Sequence, residues 1–272
     1  MTVYSHPDFD QHELVAFKQD QNSGLKAIIA VHNSNLGPAT GGCRMFDYAD
    51  EHAALADVLR LSRGMTYKSA MAGIPLGGGK AVIIGDSSKQ KNRDQLLAMG
   101  DFIDSLNGSY VTAEDSGTGV ADMGVIGERT RHVSGMVSGE KHGGDPSPTT
   151  AYGVYQGIRA AVSFRLNSDL KGVRVAMQGI GNVGYHLAKY LVEAGAEVYA
   201  ADINAQNIDR AVNDLGVRPL ALTDILSADV DVLAPCALGG AINEKSIDNV
   251  KATIVAGAAN NQLASVEMDR GL

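Results

Sequence analysis

Six residues, Gly179-Ile180-Gly181-Asn182-Val183-Gly184, constrain this chain more than any other stretch, because of what flanks them. The apolar run over 173–177 just upstream reads as a buried strand. Downstream, over 182–193, Val183, Leu187, Tyr190 and Leu191 recur at helical spacing. A second apolar run over 197–201 ends on Asp202. Strand, Gly-x-Gly-x-x-Gly turn, helix, strand and terminal acid within about 30 residues form a dinucleotide fingerprint. The first glycine permits the tight turn, the second lets backbone approach a pyrophosphate, and the third lets the helix pack closely on the strand. The diphosphate then faces unpaired N–H groups at a helix N-terminus, where the macrodipole favours an anion. Asp202 offers acceptors to the adenosine ribose hydroxyls and repels a 2′-phosphate, which favours NAD over NADP. A glycine-rich turn in another kind of α/β protein would carry the same motif; the flanking strand, helix and acid favour the cofactor reading.

Beyond residue 173, strand and helix patterns alternate, with later strands over 230–234 and 253–256, as in a doubly wound parallel sheet. The first half is patterned differently. Segments 13–18, 25–32 and 41–46 read as strands separated by turn formers. Segment 50–69 reads as a helix with Asp50 as N-cap and Leu55, Val58, Leu59 and Leu61 on its buried face. A short apolar strand over 80–85, a helix over 92–106 and a strand end over 110–112 follow. Segment 138–148 holds Gly139, Gly143, Gly144, Pro146 and Pro148 and is the best linker; a helix over 149–164 comes after it. The expectation is two α/β domains, 1–146 for substrate and catalysis and 147–272 for a Rossmann-type NAD-binding domain, with the active site in the cleft between them.

Composition narrows the partners. With 272 residues, 44% hydrophobic, 20% charged and a net charge of -8, the chain has the profile of a soluble globular protein. It has no long basic run and no Trp, so it lacks the electrostatic and stacking footprint of a nucleic-acid binder. Cys43 and Cys236 stand far apart and form no metal-ligand spacing, which reads as buried thiols in a reducing compartment and no metal site. No segment has the length and apolarity of a signal or a membrane span, so a cytoplasmic location is expected.

The densest chemical text is 63–80, ending Gly77-Gly78-Gly79-Lys80. It is not a phosphate loop: Ile74 stands where the first glycine belongs and Ala81 where Ser or Thr belongs. Three glycines would leave space for a small substrate to reach the Lys80 amine. Lys80 precedes the apolar Ala81-Val82-Ile83-Ile84, and an ammonium held against apolar packing has a lowered pKa, as does one beside a second cation such as Lys68. Two exposed lysines of ordinary pKa is the other reading. Asp115, after a strand end, either exchanges a proton with a substrate amine or caps the helix that follows.

These residues resemble the amino-acid dehydrogenases of the glutamate/leucine/phenylalanine/valine family, on the leucine and valine side. The matching stretches are 36–45, 63–68, 77–80, 112–118, 146–153, 179–184, 234–239 and 259–263, in family order over nearly the whole chain. The resemblance implies reversible NAD-dependent oxidative deamination of an L-amino acid to its 2-oxo acid and ammonia. It implies that Lys80 is the general base that activates water and that Asp115 assists proton transfer at the amino nitrogen. Lys68 would bind the substrate carboxylate, Gly41 and Gly42 would line that side, and Asn260 would hold the substrate from the cofactor domain. Thr149 would lie at the nicotinamide end, with Cys236 and Ala237 along the cofactor. A homo-oligomer assembled through the first domain is implied as well. Thr40 replaces an apolar pocket residue of the leucine type, while Ala113 keeps the wall small. Aromatic amino acids are thus the alternative substrates. Family members continue beyond the Asn260-Asn261-Gln262-Leu263 motif, whereas this sequence stops at Leu272. The competing expectation is therefore a truncated, catalytically silent nucleotide-binding or partner subunit.

Overall fold

The computed structural model describes residues 2–136, 145–265 and 268–269. The chain divides into two units, Met1–Asp145 and Pro146–Leu272, each built on its own sheet.

The first unit runs β1 (Leu14–Asp20), β2 (Leu25–Asn33), β3 (Ala39–Phe46), α1 (Glu51–Met71), β4 (Gly77–Ile84), α2 (Arg93–Asp104), β5 (Tyr110–Glu114) and α3 (Val120–Ile126). Its strands lie in the order β1-β2-β4-β3-β5. β1, β2 and β4 pair antiparallel, while β3 pairs parallel with both β4 and β5. Alternation along each strand separates two faces. On one, Ile29, Cys43, Ala81 and Ile83 pack with Leu96, Met99 and Phe102 of α2 and with Met123 and Ile126 of α3. On the other, Ile28, Ala30 and Val82 meet Ala54, Val58 and Leu59 of α1. Lys80 shares the parity of Val82 and pairs in register with Ala30, so it lies on the α1 face.

The helix starts follow the side-chain chemistry read from the sequence. The Asp50 carboxylate accepts from the Ala53 N–H at 2.8 Å to open α1, and the Asn92 side chain accepts from the Gln95 N–H at 2.9 Å to open α2. Two expectations need correcting. The glycines do not precede the fourth strand but form its first three residues, because β4 begins at Gly77. Asp115 does not cap α3: the Gly119 N–H donates to Asp122 at 2.9 Å.

The second unit runs α4 (Ser147–Leu166), β6 (Arg174–Gln178), α5 (Asn182–Glu193), β7 (Glu197–Ala201), α6 (Ala205–Leu215), β8 (Arg218–Pro219), β9 (Val232–Pro235) and β10 (Ile254–Val255). All five strands are parallel, in the order β10-β9-β6-β7-β8. Chain direction across the sheet reverses between β6 and β9, the topological switch point at which doubly wound folds bind ligands. Leu187, Ala188 and Leu191 of α5 pack with Ala151, Ile158 and Val162 of α4 over Val175 and Met177. Ala176, Ala201 and Leu233 face Ile225, Val230 and Ile242 on the other side. Of the linker expected over 138–148, residues 138–144 lie outside the described residues, and Ser147 and Pro148 already belong to α4. Among the described residues no helix is long and apolar enough to cross a membrane.

Candidate active site

In the first unit the chemistry gathers on the α1 face of β4, β3 and the end of β5. Lys80 is 2% exposed, and its Nζ donates to Asp115 Oδ2. Arg44, also buried, donates through Nε to Asp115 Oδ1 at 2.8 Å, so each carboxylate oxygen faces a different cation. The turn after β5 fixes this carboxylate. The Asp115 N–H donates to the Thr118 hydroxyl at 3.1 Å, and that hydroxyl donates to the Cys43 carbonyl at 2.7 Å. Burial pushes the Lys80 ammonium down, Asp115 pulls it up and Arg44 pushes it down again; the direction is down. For Asp115, burial pushes up, but Lys80 and Arg44 outweigh it and hold the carboxyl at about 2. A lysine whose proton is held less firmly than usual, beside a carboxylate that stays ionised, is a candidate proton acceptor. The ion pair decides against the reading of Lys80 as an exposed lysine.

The glycines do other work than expected. A Cβ on Gly78 would overlap the Thr66 backbone nitrogen and hydroxyl, and one on Gly79 would lie 2.7 Å from the Tyr110 ring. One on Gly77 would meet the Asn33 and Gly37 carbonyls. The run thus lets α1 and the neighbouring loops sit directly on β4, and the space it leaves is filled by the chain itself. Gly41 and Gly42 serve the same end on β3. A Cβ at Gly41 would overlap the Gly79 carbonyl, and one at Gly42 would lie 2.6 Å from the Glu114 carbonyl and 2.7 Å from the Asp115 Cβ. Lys68 stands exposed in the last turn of α1, and the cation that acts on Lys80 is Arg44 rather than Lys68. Thr40 and Ala113 are half-buried on adjacent strands, where Thr40 pairs with Val111 and Gly42 with Ala113. Cys43 is buried on the opposite face, and burial pushes its thiol up to about 12, which leaves it inert near neutral pH.

In the second unit the fingerprint lies at the switch point. Gly179 has φ +93°, and a Cβ there would come within 2.9 Å of the Ala237 nitrogen. A Cβ on Gly184 would lie 2.5 Å from the Gly179 carbonyl oxygen, so this glycine lets α5 close onto the turn. Gly181, the N-cap of α5, differs: a Cβ there would meet no atom within 4 Å. Open ground before the first N–H groups of a helix is what a diphosphate needs. Asp202 follows β7; its Oδ2 accepts from the Ile180 N–H at 2.7 Å and its Oδ1 from the Asn204 N–H at 2.8 Å. Each oxygen keeps acceptor capacity for a ribose hydroxyl. Across the switch point the Cys236 N–H donates to the Gln178 carbonyl at 2.7 Å, which sets Cys236 and Ala237 beside the turn. Ile180 is buried and Val183 half-buried against the core, while Asn182, Ala237, Thr149 in the first turn of α4, and Asn260 are exposed. These residues fit a dinucleotide.

Residues 11–132 match the model described as Glu/Leu/Phe/Val dehydrogenase, dimerisation domain, and residues 145–207 match that described as Glutamate/Leucine/Phenylalanine/Valine dehydrogenase. The chain belongs to the glutamate/leucine/phenylalanine/valine dehydrogenase family. It is 51% identical over 264 residues to a leucine dehydrogenase of Bacillus subtilis, an alignment covering 97% of this chain and 72% of that one. It is 47% identical over 271 residues to a valine dehydrogenase of Streptomyces virginiae, covering 98% and 76%. Among solved structures it resembles the L-tryptophan dehydrogenase of Nostoc punctiforme, with a TM-score of 0.70 and 44% identity over 96% of this chain and 75% of that one. This family membership covers both units, the one carrying Lys80 and Asp115 and the one carrying the glycine fingerprint.

Arg44 is the site residue that reading the sequence missed. Its signal was present: it is the single charge in the strand Ala39–Phe46, where a charged side chain demands a buried partner.

Proposed function

We infer that this amino-acid dehydrogenase catalyses the reversible NAD-dependent oxidative deamination of a branched-chain L-amino acid to its 2-oxo acid and ammonia. The observation that carries the mechanism is the buried Lys80 amine, pushed toward its neutral form and hydrogen-bonded to an Asp115 that stays ionised. NAD, when bound, supplies a two-electron acceptor for the α-hydride. Gly181 and the N-terminus of α5 would hold its diphosphate, and Asp202 its adenosine ribose.

The residues of the first unit handle the protons. Lys68, an exposed cation in the last turn of α1, meets the substrate carboxylate. Asp115 offers its carboxylate to the N–H groups of the substrate and aids transfer at the amino nitrogen. Lys80 takes a proton from the water that adds to the imine carbon, and later returns it as ammonia departs. Over one cycle an amino acid, water and the oxidised cofactor become a 2-oxo acid, ammonium, the reduced cofactor and a proton. Thr40 and Ala113 set the room beside β3 and β5 for the substrate side chain, Asn260 holds the substrate from the second unit, and Thr149, Cys236 and Ala237 are assigned to the cofactor. The matched dimerisation domain supports a homo-oligomer joined through the first unit, and the chain's composition suits the cytoplasm.

The test is absorbance of the reduced cofactor during turnover of L-leucine, L-valine and L-phenylalanine with NAD. Higher kcat/KM for leucine or valine than for phenylalanine is expected. Preference for phenylalanine would move the chain to the aromatic side of its family, and cofactor binding without turnover of any amino acid would overturn the reading.

A further inference from the structure

Arg44 does not end at Asp115. Its Nη1 donates to Asp57 Oδ2 at 2.8 Å, and the same oxygen accepts the Tyr48 hydroxyl at 2.7 Å. Asp57 sits in α1, Arg44 in β3, Lys80 in β4 and Asp115 just past β5. Four charges of alternating sign, Lys80, Asp115, Arg44 and Asp57, therefore run in one hydrogen-bonded line across three strands and a helix. Their side chains are between 2% and 24% exposed. Burying four charges costs more than simple structural pinning requires, since packed apolar residues could join the same elements at no electrostatic cost.

We propose that Arg44 and Asp57 are positioning residues for the deamination, a fork and its counter-charge that hold Asp115 toward Lys80 and set the pH at which Lys80 becomes a base. This rests on the reading of Lys80 as the base given above. A guanidinium can address two carboxylates at once in fixed geometry, whereas a lysine at this position would supply charge but not the fork. The groups that act on Lys80 are Asp115 from the turn after β5, Arg44 from β3 and Asp57 from α1. Tyr48, whose hydroxyl is pushed up by burial and by Asp57, stays neutral. Cys43 lies on the other face of the sheet as a neutral thiol.

The signs are opposed for the two residues. Arg44 pushes the Lys80 ammonium down and Asp57 pulls it up. Removing the guanidinium in Arg44→Met should therefore raise the pH at which Lys80 loses its proton, by about one unit. Removing the carboxylate in Asp57→Asn should lower it. A role confined to holding the fold would move neither, or would move both the same way through local loosening.

The experiment compares the acidic limb of the kcat/KM profile with NAD and L-leucine in wild type, Arg44→Met, Arg44→Lys and Asp57→Asn, and titrates the Lys80 amine directly by NMR of labelled lysine. The expected result is an upward shift in Arg44→Met and a downward shift in Asp57→Asn by both readouts. Arg44→Lys should keep the limb near its wild-type pH yet lose kcat on the order of tenfold to a hundredfold, because the charge remains while Asp115 is no longer held. Unshifted titrations in folded variants, or shifts of the same sign, would overturn the proposal. If the NMR titration shifts as expected while the kinetic limb stays fixed, Lys80 is not the base, and it is the underlying mechanism that fails.

Discussion

In the proposed nucleotide cradle Asp202 and Gly181 take different parts, and each makes a separable prediction. Asp202 grips the turn through the Ile180 N–H and keeps acceptor capacity for a ribose. Asp202→Ala should weaken NAD and narrow its advantage over NADP, read as the ratio of kcat/KM values for the two cofactors; an unchanged ratio would show that Asp202 does not read the ribose. Gly181 has nothing within 4 Å of where its Cβ would stand. Gly181→Val should therefore leave the melting temperature within a few degrees of wild type while raising the KM for NAD on the order of tenfold or more, by filling the ground the diphosphate takes. Equal KM values would place the diphosphate elsewhere.

At the scale of elements, contact between α1 and β4 organises the first unit. No side chain fits at Gly78 without displacing Thr66, whose backbone is part of α1. Gly78→Ala should cost about 1–3 kcal/mol, measured by denaturant unfolding, as an overpacked site does. A cost near zero would mean that α1 moves freely off the sheet. This element also shows where sequence reading reached its limit. Helix starts were legible because Asp50 and Asn92 carry their capping chemistry in a single side chain. The βαβ unit around Gly179 was legible because its periodicity changes within a short span. The glycines of β4 were not, since a residue without a side chain has no alternation to read, and what it accommodates comes from residues distant in sequence. β8, two residues long, is too short to show a period. Lys80 and Asp115 were legible as candidates, but their bond, and the place of Arg44 between Asp115 and Asp57, depend on the pairing of β3 with both β4 and β5.

Across the whole molecule the buried charges link stability to pH. Asp115 titrates at about 2 in the folded chain against 3.8 ordinarily. A depressed carboxyl stabilises the fold above its unfolded value and loses that contribution as pH falls through its folded value. Asp115 therefore supports the native state above about pH 4, and its support fades between about 4 and 2. Denaturant midpoints across that window should fall more gently in Asp115→Asn than in wild type, and parallel curves would show that the carboxylate contributes nothing through its charge. Burial pushes Lys80 toward neutrality, while Lys80 and Arg44 hold Asp115 as an anion against the same burial, and the proposed catalysis depends on that. Turnover of L-leucine with NAD by Lys80→Ala tests it most directly: kcat should fall on the order of a hundredfold or more with the fold intact, and near-normal turnover would remove Lys80 from the mechanism.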